Sequence, residues 1–182
     1  MTEQILTCRT LTGKLELLSD AIRYKGKTYP LSAVAHLGRF ARKTSVNFIP
    51  MEDYLRLRIY LEGTVKPISI QNNIGLIFTT SRLKNIYEEL VEKTFQKRAK
   101  SYLNQIESKG FFEYGGARFF SSGDVLIGNW KINLGTAKIW REPFNLVLKK
   151  PTGFFSRKRR LSTDIDQDVI LALLNEIYGI KF

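Results

Sequence analysis

The hydrophobic pattern of this chain changes from strand-like to helical spacing at two places. Between Tyr54 and Leu61, leucine or isoleucine occupies every second position, which is the period of a strand with one apolar face. Apolar residues then recur at helical spacing from Leu83 to Ile106, and again from Val169 to Ile177. We therefore expect an α+β chain, mostly antiparallel β, in which a group of strands is followed by a helix twice.

The remaining strand candidates are short apolar or aromatic segments separated by turn residues such as Gly13, Gly26 and Gly63. In the first half of the chain they are Lys14–Leu18, Ala21–Tyr24, Thr28–Leu31, Val65–Gln71 and Leu76–Thr80. In the second half they are Phe111–Tyr114, Ala117–Phe120, Asp124–Ile127, Lys131–Leu134, Thr136–Arg141, Phe144–Lys149 and Arg159–Thr163.

Two helices are expected to follow these groups of strands. The first should run for about 28 residues from Arg82 and span roughly 40 Å, with Thr80 or Ser81 as its N-cap and Gly110 as its stop. The second should end at Gly179. Because the first helix is longer than one small unit can cover, its second half is expected to act as a connector.

The two groups of strands can be aligned with each other. Setting Leu15–Leu37 above Ala117–Trp140, with one insertion, matches Leu17 with Phe119, Ile22 with Val125, and Tyr29 with Ile132. This pattern predicts an internal repeat. The predicted organisation is a first unit at 1–96, a helical connector at 97–109 and a second unit at 110–182.

The order of these elements resembles the pleckstrin-homology-like superfold, in particular its bacterial and GRAM-like versions. The second half carries this resemblance in DVLIGNWKINLGTAKIWREPFNLVLKK and RRLSTDIDQDVILALLNEIYG, and the first half in AIRYKGKTYPLSAVAHL and LIFTTSRLKNIYEEL. The resemblance implies two bent antiparallel β-barrels, each closed by a C-terminal helix. Members that bind phosphoinositides carry a basic motif on the first hairpin, where this chain has Lys14, Arg23 and Lys25. The superfold serves lipid binding and protein binding alike.

The net charge of +12 is unevenly distributed. Half of it lies between Lys149 and Arg160, which contains six basic residues and no acidic one. Such a balance favours anionic partners. One cysteine, Cys8, allows no internal disulfide and is typical of a reducing cytoplasm. The N-terminal sequence and the absence of a long apolar run predict neither a signal peptide nor a transmembrane helix.

The residues that usually carry catalysis are sparse. The one histidine, His36, lies in an apolar segment, and Cys8 has no evident base. The segment Asp164–Asp168 resembles the start of a calcium loop but lacks the expected glycine, and it is better explained as a helix start capped by Asp164 and Gln167. We therefore expect no enzyme activity, no catalytic residue, no metal and no cofactor.

The best candidate for a binding site is the basic–aromatic segment 149–160. Its candidate ligand-binding residues are Lys149, Lys150, Phe154, Phe155, Arg157, Lys158, Arg159 and Arg160. Basic residues around phenylalanines are suited to an anionic bilayer, because the cations are attracted to headgroups and the rings enter the interface. The expected function is a cytoplasmic interaction or scaffold module with weak peripheral binding to anionic membranes.

Two other partners fit the same composition. Single-stranded nucleic acid would be bound by phosphate contacts and base stacking. The segment could also be a docking loop for an acidic protein partner or for a second copy of this chain. A further alternative is structural, with one or both phenylalanines folding back onto the protein.

Overall fold

The computed structural model describes the backbone of residues 6–46, 49–72, 77–142, 145–151 and 158–182 and, outside 42–54 and 77–79, their side chains. The chain divides into two compact units, Met1–Lys97 and Arg98–Phe182. Within the described ranges no sheet combines strands of the two units.

The first unit contains seven strands in two antiparallel sheets. One sheet has four strands, namely β1 (Leu6–Thr10), β2 (Gly13–Leu17), β3 (Ala21–Tyr24) and β4 (Lys27–Pro30). The other has three strands, namely β5 (Val34–Val46), β6 (Ile49–Leu61) and β7 (Ile68–Gln71). The alternation predicted for Tyr54–Leu61 is confirmed, since Leu55, Leu57, Ile59 and Leu61 are all buried in the core.

The second unit also contains seven strands in two antiparallel sheets. Its four-stranded sheet consists of β8 (Phe111–Tyr114), β9 (Ala117–Phe120), β10 (Asp124–Ile127) and β11 (Trp130–Asn133). Its three-stranded sheet consists of β12 (Lys138–Glu142), β13 (Asn145–Lys149) and β14 (Lys158–Ser162). The predicted α+β class with mostly antiparallel strands is therefore confirmed.

The predicted closed barrels are not found among the described residues, where the strands of each unit make two open sheets. A single 3-10 turn, Leu31–Ala33, separates the two sheets of the first unit. In the second unit the amides of Thr136 and Ala137 bond to the carbonyl of Asn133, so a turn interrupts the chain between β11 and β12. Each turn diverts the backbone out of the ladder, and the sheet does not continue through it.

Two helices follow the groups of strands. Helix α1 spans Ile77–Lys109 and α2 spans Gln167–Tyr178. Helix α1 ends as predicted at Gly110. The Gly110 amide donates a hydrogen bond to the Ile106 carbonyl, and its backbone is left-handed, with a φ of 77°. Helix α2 likewise ends at Gly179, with a φ of 67°.

The predicted start of α1 is wrong. Ile77–Thr80 was expected to belong to a strand, with Thr80 or Ser81 as the N-cap, but all of these residues lie inside the helix. The β-branched residues there favour strands locally. Joining a long, packed helix outweighs that preference, because helical stability comes mainly from tertiary contacts.

A buried charge cluster lies within the second unit, where α2 begins. Both side chains of the Arg98–Asp166 pair are fully buried, and Arg98 Nη1 lies 2.8 Å from Asp166 Oδ1. Arg98 Nη2 lies 2.7 Å from Asp168 Oδ2, and the Tyr102 hydroxyl donates to Asp166 Oδ2 at 3.0 Å. The cluster ties α1 to the N-terminus of α2.

The capping predicted for α2 is therefore wrong. Asp166 is the N-cap residue, but its side chain makes no cap hydrogen bond, because its carboxylate is bound to Arg98 and Tyr102. Asp164 accepts from Ser162 instead, and Gln167 donates to Thr163. Asp166 also adopts a left-handed backbone, with a φ of 47°, which non-glycine residues adopt only at an energetic cost.

Alkaline pH should destabilise the second unit through Tyr178. Burial raises the pKa of Tyr178 to about 12, and its hydroxyl donates to the Phe120 carbonyl at 2.9 Å. Because the folded-state pKa is the higher one, this contribution to stability is complete below about pH 10, the ordinary tyrosine pKa. It is lost as the pH rises from there toward 12. We expect Tyr178→Phe to lose less stability than the wild type between pH 9 and 11.5 in urea unfolding, and equal losses would contradict this.

Candidate functional site

The three-stranded sheet of the second unit brings together the described part of segment 149–160. Residue pairing runs Lys138↔Lys149 between β12 and β13, and Lys149↔Lys158 between β13 and β14. Residues directly opposite each other across strands point to the same face. Lys138, Lys149 and Lys158 therefore form one row across the sheet, which we call the lysine row.

The face that carries the lysine row is the polar face of this sheet. Next to the row along the strands, Trp140 and Arg160 flank Val147, which is fully buried. Trp140 itself is half-buried. The opposite face contributes Leu146, Leu148 and Leu161 to the core, each no more than 1% exposed, and carries the exposed Arg141 and Arg159 on its two edge strands.

Arg160 is already neutralised within the sheet. Its Nε atom lies 2.9 Å from Glu142 Oε2, and its Nη2 atom donates to Glu142 Oε1 at 3.4 Å. The hydrogen bond from Arg160 lowers the pKa of Glu142 below its ordinary value, so the pair stays ionised at neutral pH. Among the basic site residues that the structure describes, Arg160 is therefore the one whose charge a salt bridge offsets.

The other predicted residues do not join the lysine row. Arg159 is exposed but pairs with Leu148, which places it in a row of the opposite face. The Lys150 ammonium lies 5.7 Å from the centre of the Trp130 ring, a cation–π contact. Phe154, Phe155 and Arg157 lie outside the described residues.

Two residues of this face were missed by the sequence prediction, Lys138 and Trp140. Both lie on β12, in a segment that was read only as a strand. In the structure Glu142 pairs with Asn145 across the hairpin turn, and this register brings Lys138 opposite Lys149. The sequence pattern indicates the hairpin but not its register, and the register decides which residues share a face.

The basic residues on the first hairpin of the first unit are arranged differently. Lys14 and Arg23 both pair with Glu16, at 2.6 Å and 3.6 Å, and the hydrogen bond from Lys14 is the main cause that lowers the pKa of Glu16. Lys25 stacks over Tyr24, with its ammonium 5.5 Å from the ring centre. Lys14 and Arg23 thus share one carboxylate, which offsets one of the three positive charges that could have formed a phosphate site there.

The lysine row has no comparable carboxylate. Among the described residues, no acidic side chain lies within salt-bridge distance of Lys138, Lys149 or Lys158. The nearest acidic neighbour on this face, Glu142, is bound to Arg160. The charge of Lys158 contributes to lowering the pKa of Glu142, but at longer range than the salt bridge of Arg160. The row is therefore the place on this sheet where three basic residues adjoin with no carboxylate in direct contact.

The residues considered for catalysis and metal binding are engaged in packing or in ion pairs within the fold. His36 packs edge-on against Tyr60 at 6.4 Å. Burial raises the pKa of the Cys8 thiol, the side chain of which is 1% exposed. In the described ranges no group of three or more His, Cys, Asp or Glu side chains could hold a metal ion. Two of the aspartates that resemble a calcium loop, Asp166 and Asp168, bind the guanidinium of Arg98.

None of the helices in the part of the chain that the structure describes is long and apolar enough to cross a bilayer. Comparison of the chain with protein-family models, with curated proteins and with solved structures gave no match.

Proposed function

We propose that this chain is a non-enzymatic binding protein whose second unit associates with anionic membrane surfaces through segment 149–160. The observation that carries this proposal is the lysine row, in which two predicted site residues, Lys149 and Lys158, lie side by side with no carboxylate of the described residues within salt-bridge distance. Each basic residue near an anionic surface contributes about 1 kcal/mol of attraction. This supports weak association that depends on several charges together.

Phe154 and Phe155 form the apolar part of the proposal. Phenylalanine beside cations is suited to the boundary between headgroups and acyl chains. Charge attraction weakens as salt shortens the Debye length to about 8 Å at physiological ionic strength, whereas apolar insertion does not. The two phenylalanines should therefore account for the binding that remains at high salt.

We further propose that each unit is a pleckstrin-homology-like domain and that the two form a tandem repeat. In both units a four-stranded meander is followed by a three-stranded meander and then a helix. The residues aligned from sequence also occupy equivalent rows: Leu17, Ile22 and Tyr29 pair in succession in one unit, and Phe119, Val125 and Ile132 do so in the other. These domains have open sheets in place of the closed barrels first expected.

Vesicle binding tests the proposed function. At low salt, Lys149→Gln/Lys158→Gln should weaken cosedimentation with anionic vesicles by about thirtyfold, corresponding to about 2 kcal/mol for two lysines. The matched control is Lys100→Gln/Lys181→Gln, which removes the same charge from exposed positions of the same unit outside the sheet. The control should bind more tightly than the sheet variant.

Two results would contradict the proposed function. One is wild-type protein that binds anionic and neutral vesicles equally. The other is equal weakening by the sheet variant and its control, since net charge rather than this segment would then govern binding. Urea unfolding of both variants establishes that they remain folded.

Nucleic-acid binding is the alternative, and Trp140 favours it. A half-buried indole beside a row of cations on a sheet face offers a base both stacking and phosphate contacts. In that case a single-stranded oligonucleotide should bind without lipid, and Trp140→Leu should weaken it by about 1–3 kcal/mol.

A further inference from the structure

The lysine row is unfavourable for the fold itself. Like charges directly opposite each other on neighbouring strands are destabilising, and here three are placed in succession. Lys138 and Lys158 are exposed and Lys149 is half-buried. The stability of the sheet therefore does not explain why three lysines occupy one row.

Protection of the sheet edges does not supply that reason. Lysines on edge strands prevent edge-to-edge pairing with other chains, which accounts for Lys138 on β12 and Lys158 on β14. Lys149 lies on the central strand, β13. It adds repulsion between its neighbours and guards no edge.

The corresponding sheet of the first unit provides an internal comparison. Its central strand carries Arg56 and Arg58, but their cross-strand partners are uncharged, namely Phe40, Gln71, Gly38 and Ser69. Arg56 donates to Gln71 Oε1 at 3.3 Å. In the described three-residue rows of β5, β6 and β7, no row holds more than one basic residue.

We propose that the lysine row binds the phosphomonoester headgroup of a membrane lipid, so that the polar face of β12–β14 lies against the bilayer. This rests on the proposed function and extends it to Lys138 and Trp140. Side chains opposite each other start about 4.5–5.5 Å apart, so two neighbouring ammonium groups can donate to oxygens of one phosphate. Such a ligand offsets the repulsion within the row.

The charge of the ligand decides between headgroup classes. A phosphomonoester carries a charge of about −1.5 to −2 near neutral pH, whereas a phosphodiester headgroup such as phosphatidylglycerol carries only one. One phosphomonoester can therefore neutralise the charges of two neighbouring lysines. Two phosphodiester lipids would have to come together at the row to neutralise the same two charges. Trp140, on the same face as the row, has the amphipathic ring that is favoured at the membrane interface.

The test compares vesicles of equal surface charge. One set contains phosphatidic acid in a neutral lipid, and the other contains phosphatidylglycerol at the mole fraction that gives the same measured zeta potential. Wild-type protein should bind the phosphatidic acid vesicles at least about fivefold more tightly. Lys138→Gln should lower that binding about fivefold, the effect of about 1 kcal/mol, while Lys100→Gln, which removes an equal charge from exposed α1, should lower it less. Lys138→Arg retains the charge and serves as the folding control.

The outcomes separate this inference from the proposed function. If the wild type binds no anionic vesicle, the proposed function fails and the inference with it. If vesicle binding depends on Lys149 and Lys158 but Lys138→Gln equals Lys100→Gln, only the inference fails. Equal binding to the two headgroups also overturns it. Complete competition by millimolar glycerol phosphate would overturn it too, because a soluble phosphomonoester would then be the ligand. Tighter binding to a single-stranded oligonucleotide than to any vesicle would also overturn it.

Discussion

Replacement of Arg98 by methionine is expected to lower the free energy of unfolding of the second unit by about 3–5 kcal/mol. Asp166 is completely buried, and the substitution removes the guanidinium that lies 2.8 Å from its carboxylate. Burial opposes the charge of Arg98, but the hydrogen bonds and charges of Asp168 and Asp166 raise the pKa of Arg98 overall. The guanidinium therefore stays charged in the folded protein.

Urea unfolding followed by tryptophan fluorescence measures this effect selectively, because both tryptophans, Trp130 and Trp140, lie in the second unit. Lys100→Met is the matched control on the same helix, and since Lys100 is exposed, its effect should stay within about 0.5 kcal/mol. Tyr102→Phe, which removes one hydrogen bond to Asp166, should cost about 1–3 kcal/mol. A loss below about 1 kcal/mol for Arg98→Met would show that the cluster does not hold the two helices together.

Replacement of Phe112 by alanine should lower the stability of the second unit by a similar amount, about 3–5 kcal/mol. The Phe112 side chain is fully buried. Its ring stacks on Phe119 with centres 4.9 Å apart and planes 7° apart, and Tyr102 meets it edge-on at 5.7 Å. Alanine would remove both aromatic contacts and leave a cavity between β8, β9 and α1.

Phe111 provides the matched control for this substitution. It is the same residue type on the same strand, but it points to the other face and is only half-buried. Its ring lies 5.3 Å from that of Phe120, and the loss of such a half-buried aromatic pair should cost about 0.5–1.5 kcal/mol. Equal losses for Phe111→Ala and Phe112→Ala in the same urea experiment would contradict the assignment of the core.

The sequence predicted those parts of the fold that local chemistry determines. The alternation from Tyr54 to Leu61 identified a strand with one buried face, because a period of two separates core from solvent. Gly110 and Gly179 marked helix ends, because both require a left-handed backbone. The segment Ile77–Thr80 departs from its local preference, since its β-branched residues favour strands whereas the packing of the whole helix determines its conformation.

Only part of the candidate site could be predicted from the sequence, because the rest depends on how the strands pair. Clustering of charge along the chain identified Lys149 and Lys158, but not that Arg159 belongs to the opposite face or that Arg160 pairs with Glu142. Those facts depend on strand register, and a shift of one residue moves every side chain to the other face. The order of turns and strands alone does not determine that register.

The continuity of α1 has a consequence for evolution and for protein engineering. The helix runs without interruption past Lys97 and Arg98, where one compact unit gives way to the next. Cutting the gene at that point would leave four unbonded carbonyls on one fragment and four unbonded amides on the other. Two units that share a helix in this way cannot easily be shuffled, lost or expressed singly, so they are expected to be inherited together.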